Sequence, residues 1–426
     1  MSRAIAGVLI LLLWLAQMAH LYLGLTVWPG ALLAWLAALI LWPGLDAAAR
    51  QQCGRLYGAA LVMLVVAWFH GIRPTAAQLF LPNLDMVTLF AGISCLNLAT
   101  GDLSRREDAP WGGWKGVLST LAGVNLLGGV INMSVLLVVG DRLAKHGRLE
   151  RRQVIMLSRI YCAAAFWSPF FVATAVAFSY APGMVFARTW PFGLLATLAA
   201  MLITLFEVWR LGVKDFEGYP LRLSTLLLPG LLALTVLAGH ALAPSASIIG
   251  LITLLAPPIA LLLMPAANRA QALRRQVTHR FAAMGSQIVL FLGAGLLAAG
   301  INGLTQIWSP APLLACFDHF GAFEATLTVA IILVISYLGV HPIITISSLA
   351  PLVWHLHPEP SLLGLTWLIG WGLSTGASPL SGANLALLAC YRVRARDLFS
   401  WNLLYALLMM PVCAGLFWLY RSYFGG

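Results

Sequence analysis

The chain has 426 residues, of which 61% are hydrophobic and 9% charged, and its mean hydropathy is +0.90. Soluble domains carry about a quarter charged residues, so this composition excludes a water-soluble globular protein and implies a polytopic membrane protein. The formal net charge of +11 then reads as Lys and Arg gathered in cytoplasmic loops, not as a nucleic-acid surface.

A crossing helix needs about 20 apolar residues. Apolar runs and their charged flanks predict spans at 4–23, 25–43, 56–72, 84–100, 152–180, 188–209, 222–242, 246–265, 283–302, 361–391 and 397–420. The first run follows Arg3 with no small-residue cleavage site behind it, so it is expected to be a span and not a signal peptide. Two further apolar stretches, 115–145 and 323–356, are interrupted near their middles by Gly128-Gly129 and by Gly339 to Pro342. Each is too short to cross twice and suits a re-entrant hairpin. With a cytoplasmic N-terminus and neither hairpin crossing, 21 of the 25 Lys and Arg fall on the cytoplasmic side, a strong positive-inside pattern. The expected fold is therefore an all-α integral membrane protein with eleven transmembrane helices and two re-entrant hairpins, N-terminus inside and C-terminus outside.

Shifted by 210 residues, the chain matches itself. Gly129 and Val130 fall on Gly339 and Val340, Val124 on Val334, Ser168 and Pro169 on Ser378 and Pro379, and Ala173 on Ala383. A shift of 201 places Phe90 and Gly92 on Phe291 and Gly293. In both copies a span precedes a broken hairpin, which precedes a span broken at Ser-Pro. An odd number of crossings separates the copies, so they are inverted repeats, the construction rule of many secondary transporters.

Hydrocarbon offers no hydrogen-bond partners, so backbone broken at membrane depth must line a cavity or be buried in protein. Helix ends at such breaks expose amides that suit anions and carbonyls that suit Na⁺. The candidate substrate-binding residues are Asn132 and Ser134 at the first tip, Ser168 at the first broken span, His341 and Thr345 at the second tip, and Ser378, Ser381 and Asn384 in "STGASPLSGANL". The candidate Na⁺-binding positions are Gly129, Asn132, Ser168, Gly339, Ser374, Thr375 and Gly376. Pro379 removes an amide donor, and Gly376 and Gly382 let the backbone unwind. Small-residue helix packing is the competing account of this stretch. His341 could bind substrate, carry a proton or cap its turn. Arg159 could attract an anion or snorkel to the interface, and Met133 is expected to pack at the tip.

Asp85, Glu207, Asp318 and Glu324 fall near span ends and no carboxylate falls at a break. This argues against cation exchange and favours an anionic or polar neutral solute, with protonation of His341 as the remaining route to proton coupling. "HLHPEP" at 355–360 reads as a turn and the six scattered cysteines as small core residues, with no catalytic set and no metal or cofactor site beyond a coupling Na⁺ or H⁺.

At the tips and breaks the chain resembles the divalent anion/Na⁺ symporter family of the wider ion transporter superfamily. The resemblance covers about 84–420 in organisation, and its tips carry a Ser-Asn-Thr motif that Asn132 matches. Ser134 departs from that motif, and the second tip has His341-Pro342 and no Asn. The resemblance implies a homodimer working as an elevator. Scaffold helices would be 1–100 and 210–302, arms 101–114 and 303–322, and a transport domain 115–209 and 323–426. The expected function is Na⁺-coupled secondary transport of a small organic anion across a bacterial inner (plasma) membrane. A proton-coupled or uncoupled exporter of a metabolite or lipid-linked group is the alternative, and an integral membrane enzyme the lesser one.

Overall fold

The computed structural model describes all residues except 1, 99–108, 223–224, 244–245, 265 and 425–426. They form two compact units: residues 1–99, 231–316 and 346–356, and residues 100–230, 317–345 and 357–426. The chain begins with α1 (Ser2–Leu23), α2 (Trp28–Leu41), α3 (Ala47–Phe69), α4 (Ala76–Phe80) and α5 (Leu84–Ser94). It continues through β1 (Trp111–Gly112), α6 (Gly113–Ile131), α7 (Ser134–Leu143), α8 (Arg151–Ala163), α9 (Val172–Tyr180), α10 (Phe186–Leu211) and β2 (Glu217–Gly218). Then come α11 (Leu227–Leu242), α12 (Ile248–Leu262), α13 (Ala266–Arg275), α14 (Phe281–Ala283), α15 (Gly285–Ile307) and α16 (Ala311–Leu314). The last elements are α17 (Ala322–Tyr337), α18 (Pro342–Val353), α19 (Pro360–Ala377), α20 (Gly382–Tyr391) and α21 (Ala395–Phe424).

Among the described residues, seven helices are long and apolar enough to cross a membrane. The stretches expected as spans 152–180 and 361–391 are each two helices, α8 with α9 and α19 with α20, separated by the Ser-Pro breaks. Among the described residues the only strands are β1 and β2, a two-residue antiparallel ladder. The expected arm 101–114 falls largely on 101–108, outside the described residues. The other, 303–322, is partly helical, since α15 runs to Ile307 and α16 occupies Ala311–Leu314.

In the first unit α3 lies along α15. Gly293, Gly300 and Gly303 of α15 face Leu56, Tyr57, Ala60, Met63 and Ala67 of α3. Small residues bring membrane helices this close without any hydrophobic drive between them. Tyr57 adds a hydrogen bond to Val289 O (2.9 Å), and Asn83 Nδ2 reaches Phe291 O (2.8 Å).

In the second unit α19 is the centre. It is buried along nearly its whole length and packs against α8, α9, α10, α17 and α21. Its glycines make this possible, because a Cβ on Gly372 would stand 2.6 Å from Cys162 O. The loop after α10 is tied down by Arg152, which donates to Gly212 O (2.8 Å) and Asp215 Oδ1 (2.9 Å). That second hydrogen bond holds the Asp215 carboxyl below the usual carboxylate range.

Gly193 of α10 meets the first break most closely, and a Cβ there would overlap Phe166 O. Backbone cannot retreat as a side chain can, so Gly193→Ala is expected to destabilise by about 1–3 kcal/mol, the range for overpacking. Gly58→Ala, in the open middle of α3, should instead stabilise by about 0.5–1 kcal/mol through helix propensity. Thermal unfolding of both variants in detergent checks the contrast, and equal midpoints would refute it.

Candidate functional site

The second unit holds every sequence-predicted site residue. The first break begins where α8 tightens into a single turn over Ala164–Phe166. Trp167 to Phe171 then run without regular helix until α9 starts at Val172. Pro169 has no amide to give and biases Ser168 away from helical geometry. The Ser168 hydroxyl is buried and donates to Gly129 O (2.6 Å), while it accepts from Phe170 N (3.2 Å). Thr174 donates to Ser168 O (2.7 Å).

Gly129 lies in the last turns of α6, not at the hairpin turn. The turn is three residues later, at Asn132-Met133, between the packed helices α6 and α7. Asn132 takes φ of +51° and ψ of −141° there, outside the left-handed helical region and strained for a residue with a Cβ. Its Nδ2 donates to Phe170 O (3.4 Å), so the break gathers Gly129, Asn132 and Ser168. Ser134 opens α7. Met133 is exposed at the tip, which corrects the expectation that it packs there. Asn125, which no sequence motif marks, buttresses the break: its Nδ2 donates to Ile160 O (3.0 Å) and its Oδ1 accepts from Trp167 Nε1 (3.1 Å).

The second break repeats the same bonds. Ser378, also buried, donates to Ser336 O near the end of α17 (2.7 Å) and accepts from Leu380 N (3.3 Å). Ser381 caps α20 by accepting from Asn384 N (3.3 Å). Asn384 turns its Nδ2 toward three main-chain oxygens, of Ser378 (2.8 Å), Gly376 (3.1 Å) and Thr375 (3.3 Å). Its Oδ1 is buried and has no hydrogen-bond partner among the described residues. A buried acceptor left unmet costs about 1–3 kcal/mol, and this one lies among the predicted site residues. Thr345 Oγ1 in the first turns of α18 is a second such atom.

One other predicted ion position, the Gly376 carbonyl, is taken up by the protein itself. Gly376 O accepts from both Asn384 and Asn402 Nδ2 (2.9 Å), which fills both its lone pairs. The Ser374 hydroxyl donates back to Trp371 O (3.1 Å). Gly339 holds φ of +89° in the turn after α17, where a Cβ would press 3.0 Å from Leu380. His341 accepts from Ile343 N through Nδ1 (3.3 Å), so the ring caps α18. That bond also places any proton of the neutral ring on Nε2. The ring meets Trp371 edge-on, with centroids 5.2 Å apart.

Of the two sequence readings of Arg159, attracting an anion or snorkelling, the structure excludes snorkelling. Its side chain is 0% exposed. Nη1 pairs with Glu207 (2.7 Å), Nε donates to Asn402 Oδ1 (2.8 Å), Nη2 donates to Trp401 O (2.7 Å), and the guanidinium lies 4.8 Å from the centre of the Tyr405 ring. Glu207, read from sequence as a span-end carboxylate, is its counter-ion. Asn402 is a further polar residue that sequence reasoning missed; a lone amide within the apolar run of α21 was the available signal. Four of the six cysteines are buried, but Cys316 and Cys390 are exposed, which corrects the uniform core reading. Of the groups an enzyme reading would gather, Glu359 accepts from Leu362 N (2.6 Å) and Tyr420 (2.9 Å), and His319 pairs with Arg421 (2.8 Å).

No family model matches the chain, and no curated protein matches it by sequence. Among solved structures it is similar to the YdaH transporter of Alcanivorax borkumensis, described as having an unusual topology. Identity is 17% and the TM-score 0.55, over 85% of this chain and 88% of that one. It also resembles MtrF of Neisseria gonorrhoeae, described within a class of antimetabolite efflux pumps, at 14% identity and a TM-score of 0.43 over 98% and 94%. The likeness to YdaH is one of fold: the chain has a mostly helical, membrane-protein architecture that a transporter also uses.

Proposed function

We propose that the chain is a secondary active transporter of a small organic anion, coupled to Na⁺ and working as an elevator. The observation that carries this is the duplicated break. Ser168 and Ser378, 210 residues apart, make the same kind of bonds: hydroxyl to a carbonyl late in the first helix of the preceding helix pair (α6 or α17), and amide two residues on to the hydroxyl. Two broken helices held alike in inverted repeats are how transporters build a midplane site. The fold shared with a transporter supports the same reading.

On this proposal the chain crosses a bacterial inner membrane eleven times, N-terminus inside and C-terminus outside, with the two helix pairs around Asn132 and His341 re-entrant. Residues 115–209 and 323–426 carry the solute, residues 1–100 and 210–302 form the scaffold of a homodimer, and 101–114 and 303–322 link them. The anion meets helix ends and the hydroxyls and amides of the breaks. This sodium and organic-acid assignment follows the resemblance to the divalent anion/Na⁺ symporter family.

The test is thermal unfolding of the detergent-purified chain in sodium against choline, across small carboxylates, sulfate and amino-acid-like anions. A ligand of the folded state at 100 times its Kd adds about 2.7 kcal/mol. A sodium-dependent rise in midpoint, enlarged by one anion class, is expected; a flat response across the panel would defeat the proposal. His341→Ala separates sodium from proton driving. Because the imidazole caps α18, the variant should weaken sodium-gradient uptake in proteoliposomes without abolishing it, whereas complete loss would favour the proton-driven exporter.

A further inference from the structure

We propose that Glu207, Arg159 and Asn402 act as a positioning relay that sets the side-chain amide of Asn384, so that its oxygen faces the transported cargo. The proposal rests on the transporter reading above. The relay starts at Arg159, which has no freedom: Glu207, Trp401 O, Asn402 and the Tyr405 ring hold it on every side. Arg159 can only donate, so the atom of Asn402 that meets Nε must be the oxygen. The nitrogen of Asn402 therefore faces the other way, to Gly376 O (2.9 Å) and Ser158 Oγ (3.3 Å). This fixes one lone pair of Gly376 O at the end of α19.

Asn384 takes the other. Three carbonyl oxygens, from Thr375, Gly376 and Ser378, surround one end of its amide. An amide oxygen cannot bond carbonyl oxygens, so the NH₂ end, its two N–H groups shared among the three, faces them and the oxygen is turned away. That oxygen is fully buried and meets no donor among the described residues. Its complement is a hydrogen-bond donor or a cation. A carboxylate oxygen of the solute would be repelled there, so Asn384 faces either the coupling cation or an amino, amide or hydroxyl group of the solute. Specificity at this position is then set from α8, α10 and α21, by residues that never touch the cargo.

The experiment uses the full chain in detergent. Asn402→Asp keeps the oxygen that Arg159 needs and replaces the donor facing Gly376 O with an acceptor. Hydrogen exchange without any ligand should rise about tenfold at 378–384 in this variant, with 360–370 unchanged. Asn384→Ala should open the same segment (Asn384→Ser serves if the alanine variant does not fold), and the double variant should exchange no faster than Asn384→Ala alone. Unchanged exchange at the break, uniform exchange along α19, or additive effects would each overturn the relay. Sodium chloride, methylammonium chloride and choline chloride are then titrated against the thermal midpoint. Asn384→Ala and Asn402→Asp should each weaken the same response about tenfold, and not further together. Sodium alone would mark Asn384 as facing the coupling cation, and methylammonium alone as facing a donor group of the solute. A wild type blind to both salts, with the exchange pattern as expected, would uphold the relay and count against the transporter reading instead.

Discussion

Replacing Glu207 with alanine is expected to destabilise the protein by about 3–5 kcal/mol, the range for stranding one partner of a buried ion pair. Arg159→Met should do less harm, although it leaves the buried Asn402 Oδ1 without its donor. The asymmetry follows from where each charge can go. Arg159 is 0% exposed, and Glu207 is the only carboxylate paired with it among the described residues. Without Glu207 the guanidinium keeps Asn402 Oδ1 and Trp401 O but has no opposing charge. Glu207 is 21% exposed and also pairs with Arg151 (2.7 Å), so it survives the loss of Arg159 with a second cation and some solvent. Methionine fills most of the vacated volume next to Tyr405 with flexible apolar atoms. The double variant Glu207→Ala/Arg159→Met should therefore be more stable than Glu207→Ala alone, because it removes the stranded charge. Unfolding midpoints of the three variants in detergent decide the matter. Glu207→Ala no weaker than Arg159→Met would mean the guanidinium is hydrated in the folded protein.

The ion pair also shows what is legible in the sequence. The repeat at 210 residues locates both Ser-Pro breaks, because proline and its neighbours act through local backbone geometry that travels with the residues. Gly128-Gly129 is a false marker for the turn of the first helical hairpin. Those glycines sit inside α6, where a Cβ on Gly128 would crowd Tyr161 and one on Gly129 would crowd Ser168. Glycine marks either a bend or a close approach, and a single sequence cannot say which. Arg159 cannot be paired from sequence either. Its carboxylate stands 48 residues away on another helix, and only the packing of α8 against α10 makes them neighbours. Asn402 is hidden for the same reason, since its partners lie 26 and 243 residues distant. Local breaks are readable, while the long-range polar contacts that brace them are not.

The paired serines give the second large effect. Ser168→Ala and Ser378→Ala should each lower transport by more than tenfold while leaving the protein folded. Ser168→Ala removes a donor from buried Gly129 O and an acceptor from the buried amide of Phe170, while Ser378→Ala removes one of two donors from Ser336 O, which keeps Gly339 N, and the acceptor of the partly buried Leu380 amide. Each buried group left unmet costs about 1–3 kcal/mol, a local loss, larger at Ser168 than at Ser378, that the segment can reduce by shifting its backbone. Such a shift would move the very carbonyls and amides that, on the proposed function, the break presents to a solute. A factor of ten corresponds to about 1.4 kcal/mol, well inside that range. Threonine keeps the hydroxyl and adds only a methyl group, so Ser168→Thr and Ser378→Thr should recover more activity than the alanine variants. Uptake into proteoliposomes under a sodium gradient is the measurement, alongside the unfolding midpoint. If the alanine variants lose stability but transport at the wild-type rate, the breaks serve packing, and the duplicated serine bonds would be a relic of the repeat and not part of its working site.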